Sequence, residues 1–332
     1  MGETISVGTK AIANAFIHRK LKYKFIGGKN QAGKKVFISN NKDNSLMLEH
    51  YRSEVKINAY GGSVLEQATI TIYNMPINLA NVISTVGFYN NEAWQTQTQI
   101  EVYATTDSST EENPVWTKIF TGNIMVSYAD MNAQPNVNVR IEAQTMGGTN
   151  LMPADSISFK GKVQAEDVIK GIINKYQKRY SDTPNGLTTV KNLGVTATLN
   201  NPNYSGPLLN QLQTCANDAD FEYSINGGIL YMFPSGGDVQ FSPLTFSPAT
   251  GMIGYPSYSG NGIVIRSLFK PTLKWAQKVR VNTNGQFKPA DGIWQYMVSM
   301  EHDLSCEMPG GPWFTTIEMA NQNTRGAMGD GG

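Results

Sequence analysis

Few residues of this chain have types and spacings suited to chemistry, and each group meets a physical objection. The loop Gly28-Lys29-Asn30-Gln31-Ala32-Gly33-Lys34-Lys35 nearly matches the phosphate-cradling pattern G-x-x-x-x-G-K-[ST]. Lys35 stands where the Mg²⁺-binding hydroxyl belongs, and Val36-Phe37-Ile38-Ser39 reads as a strand, so no helix N-terminus would face a phosphate. A solvated hairpin tip is the favoured reading. Asp218, Asp220 and Glu222 alternate, and paired carboxylates can hydrolyse glycosides or hold a cation. Tyr223 occupies the place of the sixth-position glycine of a calcium loop, and three acids on the polar face of a helix-to-strand junction is the plainer reading. Glu301-His302-Asp303 joins a base to two acids, but on a strand the middle side chain points away from its neighbours. His18 and His50 form no H-x-x-x-H pair, and no G-x-S-x-G elbow occurs, Ser257 being preceded by Pro256. Cys215 and Cys306 lie in no paired motif, and Cys215 falls on an apolar helical stripe, where a buried thiol is the default. No catalytic, cofactor-binding or metal-binding residue is assigned, and the chain is read as non-enzymatic.

The elements that would have to position such residues are mostly strands over the first 150 residues. Leu21, Tyr23 and Phe25 alternate with Lys22 and Lys24, and Val36-Phe37-Ile38 resumes after a glycine-rich loop, which predicts a hairpin. Val55 to Ala59 and Thr69 to Tyr73 predict two more strands around Gly61-Gly62, and further alternation marks Ile100 to Tyr103, Trp116 to Phe120 and Val137 to Ala143. Regular short strands with turn signals predict a closed or nearly closed antiparallel sheet.

From about Phe159 the period changes. Ala165, Val168, Ile169, Ile172, Ile173 and Tyr176 fall at helical spacing, with acids in the first turn and bases in the last. A second helix is predicted from Ser205 or Gly206, with Pro207 near its start and Leu208, Leu209, Leu212, Cys215, Ala216 and Ala219 on one stripe. Asn226-Gly227-Gly228 between two apolar runs is a strong hairpin signal. Strands return at Gly262 to Leu268, Lys278 to Val281, Trp294 to Leu304 and Trp313 to Ala320, before a small, glycine-rich tail from Asn321. The fold class is therefore mainly β (α+β): two β modules flanking a small helix-containing insert. The aromatic residues of the last third, Trp275, Trp294, Trp313, Tyr255, Tyr258 and Tyr296, lack interleaved bases and predict core and interface packing.

Composition excludes several function classes. The 332 residues carry 27 Lys+Arg against 26 Asp+Glu, a net charge of +1, with 16% of positions charged. At roughly 150 residues per domain this allows about two domains. There is no basic excess to neutralise phosphates, which disfavours nucleic-acid binding as a main task. Two cysteines are too few for a secreted disulfide scaffold, so a soluble protein from a reducing compartment fits best. The N-terminus is a poor secretory signal, and Gln67 to Asn91, a long uncharged run, contains Asn74, Pro76, Asn78 and Asn81, so no membrane span is expected. A surface rich in Asn, Gln, Ser, Thr and Gly but poor in long charged side chains suits contact with other protein.

The C-terminal residues add a family likeness. Gly251-Met252-Ile253-Gly254-Tyr255-Pro256-Ser257-Tyr258, then Gly262 to Pro271, then Lys278-Val279-Arg280-Val281, resemble a stretch of the baseplate hub proteins of tailed bacteriophages. So do Trp294 to Glu301 with His302-Asp303-Leu304, and Pro309-Gly310-Gly311-Pro312-Trp313-Phe314-Thr315. Leu208 to Leu212, Ala219-Asp220-Phe221 and Ile229-Leu230-Tyr231 are similar to that family's helix and hairpin, as is the short Phe120-Thr121-Gly122-Asn123-Ile124 turn. The likeness covers about residues 50 to 320.

The resemblance, shared with the N-terminal region of type VI secretion spike proteins, implies tail-tube-type, β-barrel-like modules. It divides the chain into an N-terminal arm (1–20), a first module (21–150), an insert with two helices and a hairpin (151–245), a second module (246–320) and a tail (321–332). It implies a homotrimeric, pseudo-sixfold ring in the virion baseplate, assembled in the host cytoplasm, with tail tube proteins above, the central spike below, other baseplate proteins around it, and genome DNA only in passage. No fused lysozyme domain or β-helical spike is expected in this chain. Two alternatives stand beside it: a carbohydrate-binding or depolymerase tail component using Asp218, Asp220 and Glu222, and another tail-tube-like barrel protein of different symmetry.

Overall fold

The computed structural model describes residues 19–28, 38–39, 41–60, 64–87, 98–106, 109, 113–132, 134–147, 154–179, 189–226, 228–235 and 242–320. The first region holds β1 (Leu21–Ile26), β2 (Ser45–Glu49), β3 (Ser53–Tyr60), β4 (Gln67–Tyr73), α1 (Ile77–Ile83), β5 (Gln99–Thr105), β6 (Trp116–Asp130) and β7 (Asn138–Gln144). The middle region holds β8 (Ile157–Ser158), β9 (Lys162–Gln164), α2 (Ala165–Arg179), β10 (Thr189–Asn192), β11 (Thr198–Asn200), β12 (Asn203–Tyr204), α3 (Leu208–Asp218), β13 (Phe221–Asn226) and β14 (Ile229–Pro234). The last holds β15 (Leu244–Phe246), β16 (Ser257–Tyr258), β17 (Ile263–Leu268), β18 (Val279–Val281), β19 (Gly292–Trp294), β20 (Tyr296–Cys306) and β21 (Trp313–Ala320).

The fold is mainly β, as the alternation predicts. One eleven-stranded antiparallel sheet runs in the order β16-β17-β21-β20-β3-β4-β7-β6-β5-β1-β2. The two β regions that flank the insert meet within it, because β3 pairs with β20 from Tyr60↔Ser299 to Ser53↔Cys306. Strict alternation makes this ladder a wall: Val55, Ile57 and Ala59 are buried on one face while Lys56 and Glu301 form an ion pair at 3.0 Å on the other.

The apolar side chains collect into three cores. One lies among the N-terminal strands, around Tyr23, Phe25, Ile70, Ile100, Phe120 and Ile141. A second joins α2 to α3 and the β13–β14 hairpin through Val168, Ile169, Ile172, Leu208, Leu212 and Cys215. A third gathers Phe246, Ile265, Trp275, Val279, Val281 and Ile317. Strand β14 is shared: Leu230 and Met232 enter the second core, Tyr231 and Phe233 the third. This is why Ile229-Leu230-Tyr231-Met232-Phe233 reads as an unbroken apolar run, since both faces of the strand are covered.

Both predicted helices form, with Glu166 and Asp167 in the first turn of α2 and Lys178 and Arg179 in its last. Three local expectations need correction. The hairpin partner of β1 is β2, with Tyr23↔Leu48, and not the Val36-Phe37-Ile38 run. Val36 and Phe37 lie outside the described residues, and Ile38 and Ser39 are not strand. The Asn44 side chain accepts from the Ile38 and Ser39 amides at 3.0 and 3.3 Å, and Asn41 Nδ2 donates to the Ser45 carbonyl at 2.8 Å, so side chains close a polar turn just before β2 begins. Second, Phe120-Thr121-Gly122-Asn123-Ile124 is no turn but the middle of β6. A Cβ on Gly122 would sit 2.7 Å from the Gln144 carbonyl carbon and oxygen, so this glycine serves a close backbone approach. Third, α1 begins directly after Pro76, where the sequence shows only a turn, and Ser127 Oγ on β6 holds it by donating to the Ile83 carbonyl at 2.7 Å. No helix among the described residues is long and apolar enough to cross a membrane.

Candidate functional site

Among the described residues, the structure does not bring the chemistry-bearing side chains together. Of the phosphate-loop-like segment, residues 29–37 lie outside the described residues. Asp218 ends α3 and accepts from Tyr204 Oη at 2.9 Å, whereas Asp220 occupies a left-handed turn at φ 48° that delivers the chain into β13. Asp218 and Asp220 are exposed and Glu222 is half-buried at the helix-to-strand junction. Among the described residues, no group of three His, Cys, Asp or Glu side chains could hold a metal ion.

Strand alternation separates Glu301-His302-Asp303 as its period requires. Glu301 pairs with Lys56 on the outer face, and partial burial raises the Asp303 carboxyl above the usual range. His302 points inward, 5% exposed, with Nδ1 2.9 Å from Thr315 Oγ1 and the Phe269 ring edge-on at 5.2 Å. Burial without a charged partner pushes its imidazole down to about 4, so it is neutral at pH 7. The Cys215 thiol lies buried at the α3 stripe, pushed up to about 12 by desolvation, and burial likewise raises Cys306. Neither is a nucleophile in this state, because the thiolate is the reactive form.

The C-terminal aromatics divide into two sets. Trp275, Trp294 and Trp313 are buried, while Tyr255 and Tyr258 are about 60% exposed beside the β16 edge of the sheet. At the opposite edge, β2 leaves Met47 45% exposed. Sequence reasoning missed a cavity to which the first and third cores contribute wall. It is lined by Glu66, Lys118, Lys191, Tyr231, Trp275 and His302 among others, contributed by all three regions. Residues so far apart in the chain share no spacing, so no sequence signal could have found it. Glu66 is buried there and accepts from Thr145 Oγ1 at 3.3 Å.

Among the described residues the arrangement offers packing and recognition surfaces, and the fold is that of tail proteins. The chain is similar to a tail protein of Neisseria meningitidis MC58, with a TM-score of 0.57 at 10% identity over 92% of this chain and 97% of that one. A 43 kDa tail protein of prophage MuSo2 from Shewanella oneidensis gives 0.53 at 8% identity, over 90% and 98%. A chain of the half-lidded Francisella PdpA-VgrG complex gives 0.52 at 9% identity, over 96% of this chain and 62% of that one. Identities this low show a shared fold alone, and no curated protein matches the sequence. The family model described as baseplate hub gp41 matches residues 34–300, and the chain belongs to that family. It is a structural protein of the phage tail, of the baseplate hub type.

Proposed function

We propose that three copies of this chain form a ring in which two β modules per copy create pseudo-sixfold symmetry, adapting a hexameric tail tube on one side to a trimeric central spike on the other. The observation that carries this reading is the division of buried side chains into two β cores along one sheet, with a third core in the insert, in a chain of the hub family. The modules are taken as residues 21–150 and 246–320, the insert as 151–245, the arm as 1–20 and the tail as 321–332.

Among the described residues β2 and β16 end the sheet, and strands at sheet edges, whose outer backbone groups need partners or water, support self-association. A surface with few charges supports a life between tube, spike and other baseplate proteins, because little hydration must be stripped on contact. In this reading DNA only passes through the channel and the chain performs no catalysis. Assembly takes place in the host cytoplasm.

Native mass measurement of the purified chain, combined with end-on imaging, tests the proposal. A trimer with six lobes is expected. A monomer active on polysaccharide would overturn the reading in favour of a depolymerase, and a closed ring of another order would favour a tube-like barrel protein of different symmetry.

A further inference from the structure

The cavity between the first and third cores, lined also by Lys191 of β10, has a volume of about 280 Å³. That exceeds a benzene-sized apolar hole of roughly 150 Å³ and lies just under the lower bound of drug-sized pockets, about 300 Å³. The space is partly open to solvent, with a largely apolar wall and exposed lysines in its lining.

Its chemistry is two-sided. Trp275, Tyr231 and Met300 supply apolar wall, and Lys118, Lys191 and Lys274, all exposed, belong to the lining as well. Lys118 is committed to Glu101 at 3.2 Å. Lys191 is exposed and has no ion pair among the described residues. It is the register partner of Tyr231 in the parallel β10–β14 ladder, so cation and ring stand side by side on one face. Glu66, a carboxylate in the lining, is buried and accepts from Thr145. His302 presents a neutral ring to the same space.

We propose that this cavity binds an apolar carboxylate carrying a single aromatic ring, the ring against Trp275 and Tyr231 and the carboxylate at Lys191 and Lys274. Apolar wall supplies the affinity and the lysines select the charge, the usual division of labour in small-molecule sites. Such a group can arrive as a free acid or as an acidic aromatic segment of a partner protein. The inference goes beyond the adaptor reading and stands whether or not the ring is threefold.

The test is calorimetric titration of the full-length chain with 3-phenylpropanoate, its neutral amide, and a blocked tetrapeptide with adjacent phenylalanine and aspartate. The acid is expected to bind at least ~10-fold more tightly than the amide, a difference of about 1.4 kcal/mol. The double substitution Lys191→Gln with Lys274→Gln should erase that preference without changing the melting temperature. Ile229→Trp should fill the space and abolish binding; if that variant fails to fold, Thr117→Trp, at another lining position, replaces it. Peptide binding in competition with the acid assigns a protein source, and binding of the acid alone assigns a free small molecule. Equal binding of acid and amide, no binding of either acid or peptide, or unchanged binding by the filled variant overturns the proposal.

Discussion

His302 sits beside the ladder that joins the two β regions, and its protonation state should set the acid limit of the fold. Its imidazole titrates at about 4 in the folded chain against an ordinary 6.5, because burial penalises the charged ring. The unfolded chain therefore binds more protons than the folded one below pH 6.5, and stability is lost as pH falls through that window. With these two values the loss is about 2 kcal/mol between pH 7.5 and 5, rising to ~3 kcal/mol by pH 4. Asp303 acts in the opposite sense, since its raised carboxyl favours the folded state as pH falls, so the measurement must be a difference. Urea midpoints of wild type and His302→Gln, recorded at pH 7.5 and pH 5, isolate the histidine. The variant should be less stable at pH 7.5, having lost the fit against Phe269 and Thr315, yet should lose about 2 kcal/mol less on acidification. Parallel losses in the two proteins would refute the assignment of His302 as a buried neutral base.

Three further outcomes follow from the packing. Gly122→Ala drives a methyl into the Gln144 carbonyl and the Phe120 ring and should destabilise by roughly 1–3 kcal/mol in denaturant titration, with an unchanged midpoint contradicting the close approach. Ile265→Asp, at a position 1% exposed in the third core, should abolish folding and tail assembly, whereas Asp220→Asn, in a left-handed turn that asparagine tolerates, should leave both intact; assembly lost only in the latter would restore a role for the acids. Native protein treated with iodoacetamide at pH 8 should show no alkylation of Cys215 or Cys306 by mass spectrometry, and full alkylation after unfolding; rapid native labelling would mean that the thiols are more accessible than their burial implies.

Local pattern carried much of the secondary structure. The apolar stripe at Ala165, Val168, Ile169, Ile172, Ile173 and Tyr176 is the buried face of α2. Where side chains close a turn against backbone, as Asn44 and Asn41 do before β2, the pattern gave β1 the wrong hairpin partner, because such bonds leave no periodic trace. Phe120 to Ile124 failed for a related reason: a glycine signals a turn or a close approach equally well until its neighbour Gln144 is known.

Alternation and helical spacing, both local properties of the backbone, determined that this chain is mainly β with two amphipathic helices near its middle, and three histidines and two cysteines limited the metal and nucleophile motifs that the sequence could offer. The pairing of β3 with β20, the sharing of β14 between two cores, and the cavity bounded by Lys191, Tyr231 and Trp275 were decided by tertiary structure alone. Antiparallel ladders accept any strand of matching alternation, so which strands meet depends on chain closure and the joint burial of distant side chains.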